Sequence, residues 1–136
     1  MTDRDVVQRL LRLERRSVLI YEAMTREGGR RGAAAKVFLG QERRHVDALE
    51  QALRTMKAPV PAPPAPIRIP GDVIRAAIEH EQRCIRAYHS AQAELKAPAL
   101  LATAAGVMAN EAQHLAFLRD LLGQDASPVA FVTGRR

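Results

Sequence analysis

One arrangement of ionisable residues occurs twice in this chain: a Glu seven residues before a Tyr, then a Glu-x-x-His further on. Glu14 and Tyr21 precede Glu42-Arg-Arg-His45, and Glu81 and Tyr88 precede Glu111-Ala-Gln-His114. Four Glu and two His converging inside a four-helix bundle make a site for two metal ions. A single Glu-x-x-His is weak, because nine Glu and four His in 136 residues give about 0.3 matches by chance. Two matches with a Glu at matching height in each half are a far stronger constraint.

The punctuation between these residues predicts four helices. Thr2 can cap the first, with Asp5 completing a short capping box, and the helix runs over about residues 2–27. Gly28-Gly29-Arg30-Arg31-Gly32 breaks it, and a second helix is expected over 33–56. Residues 58–70 hold six prolines, which forbid helix and favour extended backbone. Such a segment spans about 40 Å, enough to run the length of a bundle. Asp72 is placed to cap a third helix over 72–96, Pro98 to open a fourth over 98–122, and Gly123 to end it. The expected fold is all-α: two antiparallel helical hairpins joined by a long Pro-rich crossover, one domain over 1–136. In the tail, residues 124–136, the apolar Val129-Ala130-Phe131-Val132 segment is expected to pack along the bundle without adding a helix.

Height and helical phase then select ligands from the remaining acids. Residues equally far from a hairpin turn lie at equal height, at about 1.5 Å per residue. Glu14 and Glu81 each precede their turn by about 15 residues, and both Glu-x-x-His motifs follow at comparable distances. Glu22 sits too close to its turn, and Glu79 is rotated off the seam by its offset of two from Glu81. Glu27, Glu50 and Glu94 lie near helix ends and read, with those two, as solvated charges. The seams themselves run Val7, Leu10/Leu11, Glu14, Val18, Tyr21 and Ile74, Ile78, Glu81, Ile85, Tyr88 on the first and third helices. On the second and fourth they run Phe38, Glu42, His45, Leu49, Leu53 and Val107, Glu111, His114, Leu118, Leu121. His80 and His89 fall off the seam and are expected at the surface or rim.

Spacing of i, i+3 puts Glu and His on one helical face, so Glu42 and Glu111 can bridge two ions while His45 and His114 bind one each. Glu14 and Glu81 are then the terminal carboxylates. Oxygen-rich ligation with one imidazole per ion suits iron or manganese, singly or mixed, better than copper or structural zinc. Without cations, four carboxylates in an apolar core would each cost several kcal/mol or be forced to protonate. Tyr21 and Tyr88, one layer away, read either as core packing or as hydrogen-bond donors to ligand carboxylates.

Composition narrows the alternatives. The lone Cys84 excludes an intrachain disulfide or a four-cysteine metal site, and reads as a small buried packing residue. No apolar run is long enough for a membrane span or leader, so a soluble cytoplasmic protein is expected. Net charge is +6, and residues 1–57 hold 13 Lys/Arg against 8 Asp/Glu. The first hairpin, with Arg15, Arg16, Arg30, Arg31, Arg43 and Arg44, is therefore the basic one.

The motif set Glu14, Glu42-Arg-Arg-His45, Glu81 and Glu111-Ala-Gln-His114, supported by Tyr21 and Tyr88, resembles the ferritin-like superfamily, in particular its small bacterial and rubrerythrin-like domains. The resemblance implies a di-iron, di-manganese or mixed centre that reacts with oxygen or hydrogen peroxide, as in ferroxidases and peroxidases. The chain departs from rubrerythrins in lacking their four-cysteine domain, and from cage ferritins in lacking room for a fifth helix. Mini-ferritins place iron between subunits, whereas this chain carries a complete set. The alternative is a non-catalytic metal-binding bundle, or one whose basic hairpin binds nucleic acid; a homodimer through an apolar helix face also stays open.

Overall fold

The computed structural model describes residues 1–69 and 71–135. Pro70, the end of the expected crossover, and Arg136, the end of the expected tail, lie outside the described residues. Four helices follow in order: α1 (Asp3–Thr25), α2 (Gly29–Thr55), α3 (Val73–Glu94) and α4 (Pro98–Leu121). Among the described residues there is no strand. The caps are those the sequence implied. Thr2 Oγ1 accepts from the Asp5 amide at 3.2 Å while Asp5 accepts from the Thr2 amide at 2.9 Å, and Asp72 accepts from the Ile74 amide at 2.9 Å.

One boundary moves. The break before α2 is confined to Gly28 and Gly29, at φ 69° and 59°, and the helix has begun by Gly29 where it was expected at residue 33. Gly32 lies inside α2, where a Cβ would come within 3.0 Å of the Thr25 carbonyl oxygen. It is there for close packing of the two helix ends, not as a breaker.

The helices pack as two hairpins, α1 on α2 and α3 on α4, with α1 also against α3 and a slighter α2–α4 contact; the remaining pairs are diagonal. The crossover runs along α1. Its prolines leave carbonyls in need of donors, and α1 supplies them: Gln8 donates to Pro59 O at 2.8 Å, and Arg15 donates to Pro61 O. Arg15 also pairs with Glu50 at 2.9 Å, so this arginine is buried structure and no part of a free basic face. Glu50 correspondingly is half-buried, not a solvated charge.

Two apolar clusters form, one towards each end of the bundle. Val7, Leu10, Leu49, Leu53, Tyr88 and Leu95 belong to one, and Ile20, Met24, Leu39, Ile74 and Leu118 to the other. Val18, Phe38, Ile78 and Leu121, expected on the seams, pack half-buried at their margins. The tail forms no helix, but its apolar residues do not pack along the bundle as expected: Phe131 is 83% exposed and Val129 and Val132 are 41% and 43% exposed. The tail docks instead through backbone, with Gly134 O accepting from Arg86 at 2.6 Å. Gly134 has φ 73°, and a side chain there would collide with the Gln82 carbonyl. No helix among the described residues is long and apolar enough to cross a membrane.

Candidate metal centre

Between the two apolar clusters, all six sequence-selected residues meet. Glu14, Glu42, His45 and Glu111 bring donor atoms within 4.8 Å of one another, a group that could hold a metal ion. Glu42, Glu81, Glu111 and His114 form a second such group. Glu42 and Glu111 belong to both, the sharing that the i, i+3 spacing implies. The four carboxylates are at most 1% exposed.

The imidazoles face inward through Nδ1. His45 Nδ1 lies 3.2 Å from Glu14 Oε2, 3.3 Å from Glu42 Oε2 and 3.1 Å from Glu111 Oε1. His114 Nδ1 lies 3.1 Å from Glu42 Oε1 and 3.3 Å from Glu81 Oε1. At His114 these approaches are close but misaligned for hydrogen bonding, and Nδ1 is left without a partner, as are Glu14 Oε1, Glu42 Oε1, Glu81 Oε2 and both oxygens of Glu111. Buried polar atoms are normally satisfied. Lone pairs that converge on a common point without satisfying one another are what a cation site presents, so the donors fit a metal.

With protons as the only cations, the cluster is electrostatically divided. Burial pushes the Glu14 carboxyl up to about 8, and burial with the charges of Glu81 and Glu14 raises Glu111 well above the carboxylate range. Burial also works against the charged form of Glu42, but the close His114 and His45 imidazoles outweigh it and bring it to about 2. Burial disfavours imidazolium at His45 and His114, yet the facing carboxylates raise them to about 10 and about 9. Divalent ions would have to displace those protons.

Neighbouring side chains hold the ligands, and one of them was not found from sequence. His114 Nε2–H donates to Gln41 Oε1 at 2.6 Å; an oxygen partner fixes the proton on Nε2 and reserves Nδ1 for the cluster. Gln41 is the residue before Glu42, and its role depends on α2 and α4 touching, which no local pattern announces. Tyr21 donates across the bundle to Glu81 Oε1. Burial foremost, with the Glu81 charge, keeps its phenol protonated by raising its pKa. Tyr88 is equally buried and lies against Glu14, whose charge adds to burial in raising its pKa, but among the described residues its hydroxyl makes no well-aligned hydrogen bond.

His80 corrects an expectation. His89 is exposed, but His80 is only 3% exposed, with Nε2 3.0 Å from both Leu13 O and Ser17 Oγ and 3.4 Å from Cys84 Sγ. The α1-facing stripe of α3 is wide enough to take both Glu81 and the residue before it. Cys84 is buried, as expected, and burial above all raises its thiol pKa well above the usual value, which keeps it inert.

The basic hairpin also changes on folding. Arg30 pairs with Asp120 at 3.2 Å, Arg31 with Glu27 at 3.7 Å and Arg43 with Glu22 at 3.4 Å. Of the six arginines expected to form an anionic-partner face, only Arg16 and Arg44 have no ion pair among the described residues.

No curated protein and no solved structure matches the chain. A family model described as ferritin-like domain does match, over residues 2–124, and with four helices arranged around a buried carboxylate and histidine cluster the chain belongs to the ferritin-like family.

Proposed function

We propose that this protein binds two ions of iron or manganese, one in each donor group, and works as an oxidoreductase on oxygen or hydrogen peroxide. The observation that carries this reading is the pair of overlapping groups sharing Glu42 and Glu111, with Glu14 and His45 on one side and Glu81 and His114 on the other. When bound, such ions supply redox equivalents and Lewis acidity in a site kept from bulk water. The chain's own residues do the positioning. Glu42 and Glu111 set the separation of the two positions, Gln41 holds the His114 tautomer, and the Tyr21 hydroxyl steadies Glu81 while keeping its proton. The apolar clusters above and below exclude water along the bundle axis.

The test is elemental analysis of protein purified without chelators, repeated after ferrous iron is added in air. Two equivalents of iron or manganese per chain, with oxygen consumed during loading, support the reading. No metal, or one tightly held zinc, overturns it.

A further inference from the structure

Arg16, Arg68, Arg75 and Arg83 come from α1, the crossover and α3, and they converge on one cavity of about 390 Å³. None of the four has a carboxylate within ion-pair distance among the described residues, unlike Arg9, Arg15, Arg30, Arg31, Arg43 and Arg54. Two acids, Asp72 and Glu79, also line the cavity. Asp72 is already engaged in capping the Ile74 amide, and Glu79 is exposed. The balance stays positive. His80 completes the wall, its Nε2–H directed to Leu13 O of α1 and its Nδ1 buried, so the ring presents no donor to the cavity.

Unpaired guanidinium groups gathered from three segments around one cavity make an oxyanion receptor. Guanidinium is the side chain best matched to phosphate, through paired and charge-assisted hydrogen bonds. We propose that this cavity binds a phosphate-class oxyanion, either free phosphate or the phosphoryl group of a small molecule. The volume leaves room beyond a phosphoryl group, and Ile20 and Ile69 supply apolar wall for the remainder. The site lies on the α1/α3 face, and the inference does not depend on which metals the centre takes.

Calorimetric titration of the whole 136-residue chain, as purified, with inorganic phosphate and with glucose 6-phosphate at constant ionic strength tests this. One saturable site per chain is expected, weakened about tenfold or more by Arg75→Ala and by Arg83→Ala. Arg26→Ala, which removes the same charge from an exposed position outside the cavity, should leave affinity within about twofold. Tighter binding of the sugar phosphate assigns a phosphorylated small molecule, and equal binding assigns free phosphate; both support the site. No saturable binding, an equal loss in all three variants, or an oligonucleotide binding where both phosphates fail would overturn it.

Discussion

Glu14 with His45 and Glu81 with His114 have the same chemistry and different surroundings. The His114 side chain is 1% exposed and the His45 side chain 12%. His114 packs against Phe38 at 4.2 Å between ring centroids and Tyr21 at 5.7 Å, and Phe117 extends that cluster from Phe38 at 5.6 Å. The residues in the corresponding positions around His45 are Val107 for Phe38 and Ala48 for Phe117, and among the described residues no aromatic ring stacks on His45. Glu81 receives the Tyr21 hydroxyl, while Tyr88, its counterpart, faces Glu14 without a well-aligned hydrogen bond and leaves Glu14 Oε1 unpartnered. Gln41 holds His114; Asn110, its counterpart, donates to Gln41 and Gln113 instead of serving His45. A duplicated ligand pattern therefore specifies two similar sets of donors without making their environments equal. One half is held and shielded; the other is looser and nearer to solvent.

The comparison is broken most severely by removing a shared carboxylate. Glu111→Ala is expected to abolish stable binding at both positions, whereas Glu14→Ala should spare the Glu81/His114 position. Metal-to-protein ratios near zero and near one, respectively, would be the signature; two ions retained by Glu111→Ala would refute the shared role.

The held half is next. Gln41→Leu and Tyr21→Phe should weaken one of two resolved binding steps by roughly 10- to 100-fold, the usual effect of losing a group that orients a ligand. Tyr88→Phe, which removes a hydroxyl that faces Glu14 without a well-formed hydrogen bond, should change either step by less than about threefold. Stepwise calorimetry with manganese resolves this, and equal effects from Tyr21 and Tyr88 would erase the asymmetry.

Proton competition gives a smaller effect. In chelator-treated protein, Glu14 near 8 and a raised Glu111 bind protons more tightly folded than unfolded, so their linkage lowers stability as pH rises above about 4.5. His45 near 10 and His114 near 9 contribute stability that is complete below 6.5 and lost as pH climbs through those values. Glu42 near 2 acts oppositely, its contribution being lost only below 4.5. The metal-stripped bundle should therefore melt roughly 5–10 °C lower at pH 9 than at pH 5.5. A thermal denaturation midpoint that is flat or rises over that range would contradict the assignment.

The smallest effect concerns the ends of the two hairpins. α2 and α4 both close with the amide two residues past the cap returning to a carbonyl five residues back, Ala58 to Leu53 and Gln124 to Arg119. The left-handed residue is Gly123 in the second hairpin but Lys57, at φ 52°, in the first. Lys57→Gly should stabilise the protein by about 1 kcal/mol, measurable by denaturant titration, and a destabilisation would show that Lys57 does something besides terminate α2.

The six donor residues were legible because a helix converts sequence spacing into height and phase, and a short hairpin carries height from one helix to the next. Thr2, Asp72 and Pro98 were legible because capping is local. Gln41 and His80 were not, since each acts through a helix distant in sequence, and a polar residue beside a ligand looks the same whether it faces solvent or a neighbour. The start of α2 differs from the expected one because Gly32 marks a close helix approach, which in sequence looks the same as a helix break. Phe131 was misplaced because three or four apolar residues without periodicity carry no information about which surface, if any, receives them.

By itself the sequence determined four helices, their pairing into hairpins, the long crossover and the ionisable residues at mid-bundle, all consequences of the helical repeat and of where Gly and Pro interrupt it. Only the tertiary structure decided which arginines are spent on Glu22, Glu50, Asp120 and the crossover carbonyls, and which four remain around a cavity. It also decided that one half of the centre is braced and the other is not. Hydrogen bonds and desolvation depend on distances between segments remote in the chain, and those distances exist only once the bundle has closed.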